Sequence, residues 1–147
     1  MDLIAEDIPS YKLATIGNRF ISGFIDCLVA VILMVLVGLA FDQVYMNDGS
    51  FNVSLHDESA LVFFAAWIVA VPVLEGITGQ TIGKKIVGTM VWDKNDKKPG
   101  LFQSILRHIF DWLDYFLAIG LIVAASNKNK QRIGDLVANT IVIIKNK

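Results

Sequence analysis

The sequence holds a single cysteine, Cys27, inside an apolar run. One thiol cannot close an intramolecular disulfide, and it offers too few ligands for a cysteine-based metal cluster. No excess of either charge is present: thirteen Lys and Arg against fourteen Asp and Glu leave a net charge of −1. That balance gives no reason to expect nucleic acid as a partner. No apolar stretch follows Met1 directly, and Asp2, Glu6 and Asp7 occupy the place where a signal peptide would be basic. A cleavable leader is therefore not expected, and the first apolar helix would itself direct insertion. Catalytic-triad signatures and zinc spacings are missing too. The stretch Gly79-Gln80-Thr81-Ile82-Gly83-Lys84-Lys85 has the composition of a phosphate loop but the wrong spacing, and its basic residues suit anionic headgroups better. The sequence predicts neither an enzyme nor a bound cofactor.

Apolar residues, by contrast, are abundant. They make up 54% of the 147 residues, mean hydropathy is +0.57, and the excess is concentrated in long runs. Residues 20–41 carry one charge, Asp26, and extend about 33 Å as a helix, enough for a hydrocarbon core of roughly 30 Å. Residues 60–78 carry one charge, Glu75, and one proline, Pro72, which predicts a kink and not a stop. Residues 101–126 are long enough to span but contain Arg107, His108, Asp111 and Asp114, and their uncharged part is too short to cross alone. The expectation is one all-α membrane domain over residues 1–147. It is a small bundle of two to three transmembrane helices (about 19–41, 60–78 and 101–126), the third amphipathic or re-entrant, followed by a basic tail at 127–147.

Charge asymmetry orients the spans. Residues 42–59 have four acids and no Lys or Arg, whereas residues 79–100 have Lys84, Lys85, Lys94, Lys97 and Lys98. By the positive-inside rule the first loop faces outward and the second the cytoplasm, with Lys12 and Arg19 also inside, as in a multi-pass plasma-membrane protein. The tail carries Lys128, Lys130, Arg132, Lys145 and Lys147 and should be inside as well, yet three plain crossings would put it outside. Two readings stay open. Residues 101–126 lie in the interface, dip in or turn back near Gly120, which is preferred, or the tail departs from the rule. Residues 89–92 and the β-branched run 140–144 read as extended and would pair if both lay inside.

An ionisable group at bilayer depth costs roughly 2.5–3.5 kcal/mol and needs a partner or water. Arg19 and Asp26 lie seven residues apart on one helix face, about 10 Å in height, too far for a direct bridge. Asp26 is expected to find a cation elsewhere, with Arg19 (through water or from another subunit), Arg107 and Arg132 as candidates. Arg19 could equally anchor the helix at the headgroups. Arg107, Asp111 and Asp114 form a stripe at i, i+4, i+7, either a solvated amphipathic face or the partner of Asp26, with Arg107 in reach of Asp111. Glu75 is expected at the interface, and His108 as a hydrogen-bonded bystander, although proton-relay chemistry is open to it.

The segment Asn18-Arg19-Phe20-Ile21-Ser22-Gly23-Phe24-Ile25-Asp26 resembles the opening of RDD-family membrane proteins. Residues Thr81 to Gly88 are similar to that family's TxGKxxxG segment, and Gln131 to Thr140 to its closing RxGDxxAxT stretch, which contains Asp135. Asn139 stands where the family has glycine. The three motifs occur in family order and cover about residues 11–144. The resemblance implies a small helical membrane domain proposed to transport solutes, with some members linked to sodium–proton exchange.

Two functions follow as expectations. In the first, the chain moves a small solute or ion, with H+ or Na+ bound at Asp26 and an arginine setting its affinity. Three helices cannot enclose a path, so this needs a homo-oligomer or a membrane partner, and the small residues Ser22, Gly23, Ala30 and Gly38 allow close helix contact. In the second, the chain is an accessory or assembly subunit whose Arg19, Asp26 and Asp135 are structural pairs.

Overall fold

The computed structural model describes residues 11–95, 97–117, 119–126 and 128–145, with the side chains of residues 112–121 outside that description. Helix α1 (Ile16–Ala40) starts at Thr15, whose hydroxyl accepts the Asn18 N–H at 3.1 Å and so satisfies one of the free amides of the first turn. Phe20, Phe24, Ile32 and Leu36 on this helix are each more than half exposed. Apolar surface of that extent is untenable in water and ordinary in lipid.

The chain then turns through a hairpin, β1 (Val44–Asn47) and β2 (Ser50–Val53), closed by Asp48 and Gly49, both at positive φ. An Asp-Gly pair in a two-residue loop matches the twist of the flanking strands. Val44 and Val53 of the hairpin cover Gly38 at the end of α1, where an added Cβ would lie 2.7 Å from Val53. Gly38 is therefore used within the chain and is not free to seat a second copy.

The return helix comprises α2 (Asp57–Ile68), a π-helical turn (Val69–Val73) and α3 (Leu74–Thr78). Pro72 removes one backbone donor, and the helix passes it by widening to the π turn, as expected of a kink. The Ser104 hydroxyl donates to the Pro72 carbonyl at 2.7 Å. Among the described residues, this helix and α1 are the two elements long and apolar enough to cross a membrane.

The remaining elements gather at the end where α1 begins. They are α4 (Ile82–Val87), β3 (Thr89–Asp93), α5 (Leu101–Leu117), α6 (Ile119–Ser126), α7 (Ile133–Val137) and β4 (Thr140–Ile144). Strands β3 and β4 pair antiparallel. The stretch before α1 joins them, since Ala14 donates to the Val142 carbonyl at 2.9 Å and Ile144 to that of Lys12 at 2.7 Å. Buried Ala14, Val91 and Val142 close the small core beneath this sheet. The start of α1, the loop after α3 and the tail thus share one end, so residues 101–126 leave it and return to it. Helix α7 packs on both α5 and α6, as such a return requires.

These same elements contain a repeat. Gln80-Thr81-Ile82-Gly83 … Thr89 and Gln131-Arg132-Ile133-Gly134 … Thr140 share Gln-x-Ile-Gly-x5-Thr, and each leads from a short helix into a strand. Their glutamines do the same work: Gln80 Nε2 donates to the Thr89 carbonyl at 2.6 Å and Gln131 Nε2 to the Thr140 carbonyl at 2.7 Å. The preceding helices share an Arg-x6-Asp pattern, Arg19 to Asp26 and Arg107 to Asp114. The fold is thus two copies of one design, helical pair, short helix and strand, with the first copy's helices lengthened. Asn139, at φ +53, shows why it can replace glycine: asparagine tolerates the left-handed region.

Candidate functional site

Each short helix docks on its long partner through a glycine. A Cβ on Gly83 would fall 2.1 Å from the Ser22 carbonyl oxygen of α1, and one on Gly134 would fall 2.8 Å from the Arg107 carbonyl oxygen of α5. The close approach of α4 delivers its N-terminus to Asp26. The Gly83 N–H donates to Asp26 Oδ1 at 2.7 Å and the Thr81 hydroxyl to Oδ2 at 2.6 Å, while the Thr81 oxygen also accepts the Lys84 N–H at 3.2 Å. Helix amides and a hydroxyl stabilise a carboxylate as a cation would. The expectation that an arginine pairs with Asp26 is corrected accordingly: Thr81 and the start of α4 supply the donors in its place.

The arginines go elsewhere. Arg19 Nη1 pairs with Asp135 Oδ2, and Arg107 Nη1 with Asp135 Oδ1. Arg107 also places Nε 3.0 Å from Glu75 Oε1 and donates from Nη1 to the Thr140 hydroxyl at 2.7 Å. Lys84 Nζ lies 2.7 Å from Glu75 Oε2. Glu75 is fully buried, not interfacial as its place near a helix end suggested. The repeat gives the reason. Lys84 occupies the position that Asp135 occupies in the second copy, so a carboxylate from α3 is needed to face the cations there. Breaking such a buried network from one side costs about 3–5 kcal/mol.

Asp135, on the short helix α7 outside the two apolar spans, also accepts the Arg132 N–H at 3.0 Å. Burial pushes its carboxyl up, and the guanidiniums of Arg107 and Arg19 more than offset this, holding it below the usual carboxylate range. The predicted Arg107–Asp111 pair does not form as an ion pair. Asp111 Oδ2 stands 3.8 Å from His108 Nε2, and His108 Nδ1 lies 2.8 Å from the Ser104 carbonyl oxygen. The Asp114 side chain lies outside the described residues.

Beside this network a cleft of about 360 Å³ opens between α1, α2 and α5. Arg19, Asp26, Arg107, Asp111 and Arg132 all line it, so five of the seven charged positions singled out in the sequence share one cavity, and Asp135 stands directly behind it. Lys84, in the sequence one of five loop lysines and part of the Thr81–Gly88 motif but not a candidate site residue, joins them, whereas Phe63, Phe64 and Trp67 form an apolar wall.

No curated protein and no solved structure matches the chain. The family comparison is decisive: the RDD family model matches residues 13–139, and the chain belongs to the RDD family of membrane proteins.

Proposed function

We propose that this RDD domain is the ligand-binding membrane subunit of a transport assembly in the plasma membrane, handling a small solute or ion in the cleft between α1, α2 and α5. The observation that carries this reading is the gathering of Asp26, Arg19, Arg107, Asp111 and Arg132 around a cavity of about 360 Å³ beside the first half of α1. A volume of that size falls in the range of small-ligand sites, roughly 300–1,000 Å³. Asp26 is the carboxylate to which a proton or sodium ion would bind, because each of its oxygens accepts one hydrogen bond and keeps a further lone pair. Two long spans and a returning segment cannot enclose a path alone, so the transporting unit is a homo-oligomer or a complex with another membrane protein.

Reconstitution tests this. Proteoliposomes should show proton or sodium flux that Asp26→Asn abolishes while the variant keeps its wild-type melting behaviour. Wild-type protein that moves neither ion overturns the ion-coupled reading. The second reading, an accessory subunit with purely structural charges, is favoured by the mutual pairing of Arg19, Glu75, Arg107 and Asp135. It predicts no flux and loss of partner complexes when any of these four is replaced.

A further inference from the structure

The cleft has two chemically different ends. Ala30 lies eleven residues beyond Arg19 on α1, about 16 Å farther along the helix, and with Phe63, Phe64 and Trp67 it makes the deeper end apolar. Phe64 is half exposed, so this end borders lipid. At the shallow end, among the described residues, four cationic side chains (Arg19, Lys84, Arg107, Arg132) line the cleft with Asp26 and Asp111, while Glu75 and Asp135 behind it pair with the first three. Both oxygens of Asp26 already accept hydrogen bonds.

Arg19 is the telling group. It is 4% exposed, and its Nη1 is committed to Asp135. Its Nε and Nη2 have no hydrogen-bond partner among the described residues, and neither does Nε of Arg132. Nε and Nη2 form the side edge of a guanidinium, two parallel N–H groups spaced to grip two oxygens of one carboxylate or phosphate. A buried donor pair left open costs stability unless something fills it. Water could satisfy the two N–H groups singly, but it would not account for the apolar wall of the cleft that Arg19 also lines.

We propose that the cleft binds an anionic amphiphile, with its oxyanion head on the Nε–Nη2 edge of Arg19 and on Arg132, and its apolar chain along Ala30, Phe63, Phe64 and Trp67. The unpartnered guanidinium nitrogens of Arg19 and Arg132 match the head, and the apolar wall matches the chain. This rests on the reading of the cleft as the ligand site and names the ligand class. Such a molecule enters sideways from the inner leaflet, so it needs no water-filled path across the bilayer.

Native mass spectrometry of the full chain, released from nonionic detergent, tests the proposal with a monoacylglycerol phosphate and a monoacyl phosphocholine of the same chain length. The phosphate should bind one to one and at least tenfold more tightly than the phosphocholine. Inorganic phosphate at equal concentration should not displace it. Ala30→Phe, which fills the apolar end, should weaken binding of the monoacyl phosphate at least tenfold. Equal affinity for the two amphiphiles would reduce the cleft to an apolar partition and overturn the proposal. Displacement by inorganic phosphate would overturn it too, because the site would then take a free anion. The two readings fail separately. Headgroup discrimination without flux removes ion transport alone, and flux without discrimination removes the amphiphile alone.

Discussion

Val91 stands opposite Val142 in the β3–β4 ladder, and the two are the same position of a segment that occurs twice. Thr89 pairs with Ile144 and Asp93 with Thr140, as a two-fold axis through the central valine pair demands. Parallel repeats about an axis along the membrane normal recur among membrane transporters. Here the relationship explains why the tail returns to the side of the first helix.

Docking of α4 should depend on Gly83. Its Cβ position is occupied by the Ser22 carbonyl oxygen, so Gly83→Val must push α4 away and strip Asp26 of both donors. The expected loss is at least the cost of overpacking, about 1–3 kcal/mol. Gly17→Ala is the control, since its nearest neighbour would be 3.7 Å away. Thermal melting in detergent should show a large drop for the first and no significant loss for the second. Equal effects would mean that α4 does not sit on α1 as described.

Glu75 should be coupled to Lys84. Replacing Glu75 by Gln leaves Lys84 without its carboxylate and weakens the hold on Arg107, a loss of about 3–5 kcal/mol for a buried partner. Lys84→Met in the same chain removes the stranded charge and should restore part of that loss, with a coupling of about 0.5–3 kcal/mol. Additive losses in the two single variants would show that Glu75 and Lys84 do not meet.

Asp135 supplies a pH signature. Its folded carboxyl lies below the ordinary range, so the stability it contributes is complete above the unfolded value, about 3.9. That contribution is lost as pH falls through the still lower folded value. The melting difference between wild type and Asp135→Asn should therefore stay constant from pH 7 to about pH 5 and shrink only below about pH 4. A difference that already collapses between pH 7 and pH 5 would mean that Arg19 and Arg107 do not hold this carboxylate.

The two apolar spans were legible because they rest on a simple count of apolar length. The pairing of residues 89–92 with 140–144 could be read from β-branched composition. Partner choice could not. Helical spacing suggested Arg107 with Asp111, yet docking of α7 and α3 brings Asp135 and Glu75 closer, and buried carboxylates attract a guanidinium more strongly than a partly exposed neighbour does. The sequence points to a cation for Asp26 because a carboxylate at depth requires one in the absence of other donors. The donors that meet it come from Thr81 and Gly83, more than fifty residues away. Comparing Gln80–Thr89 with Gln131–Thr140 would have shown the equivalence of Gly83 and Gly134, and hence where both short helices dock.

The central claim is that the two copies close on each other through β3 and β4 at one end of the spans. The Val91 N–H donates to the Gly79 carbonyl at 2.8 Å, away from β4, which makes Val91–Val142 a non-hydrogen-bonded pair. Such pairs hold their Cα atoms about 4.5 Å apart, within disulfide reach. In a Cys27→Ser background, Val91→Cys with Val142→Cys should form an intramolecular disulfide under mild oxidation, seen as a faster-migrating monomer on a nonreducing gel. Val91→Cys with Ile143→Cys, whose side chains face opposite sides of the sheet, should not. A disulfide in the second pair alone, or in neither, would contradict the two-copy architecture.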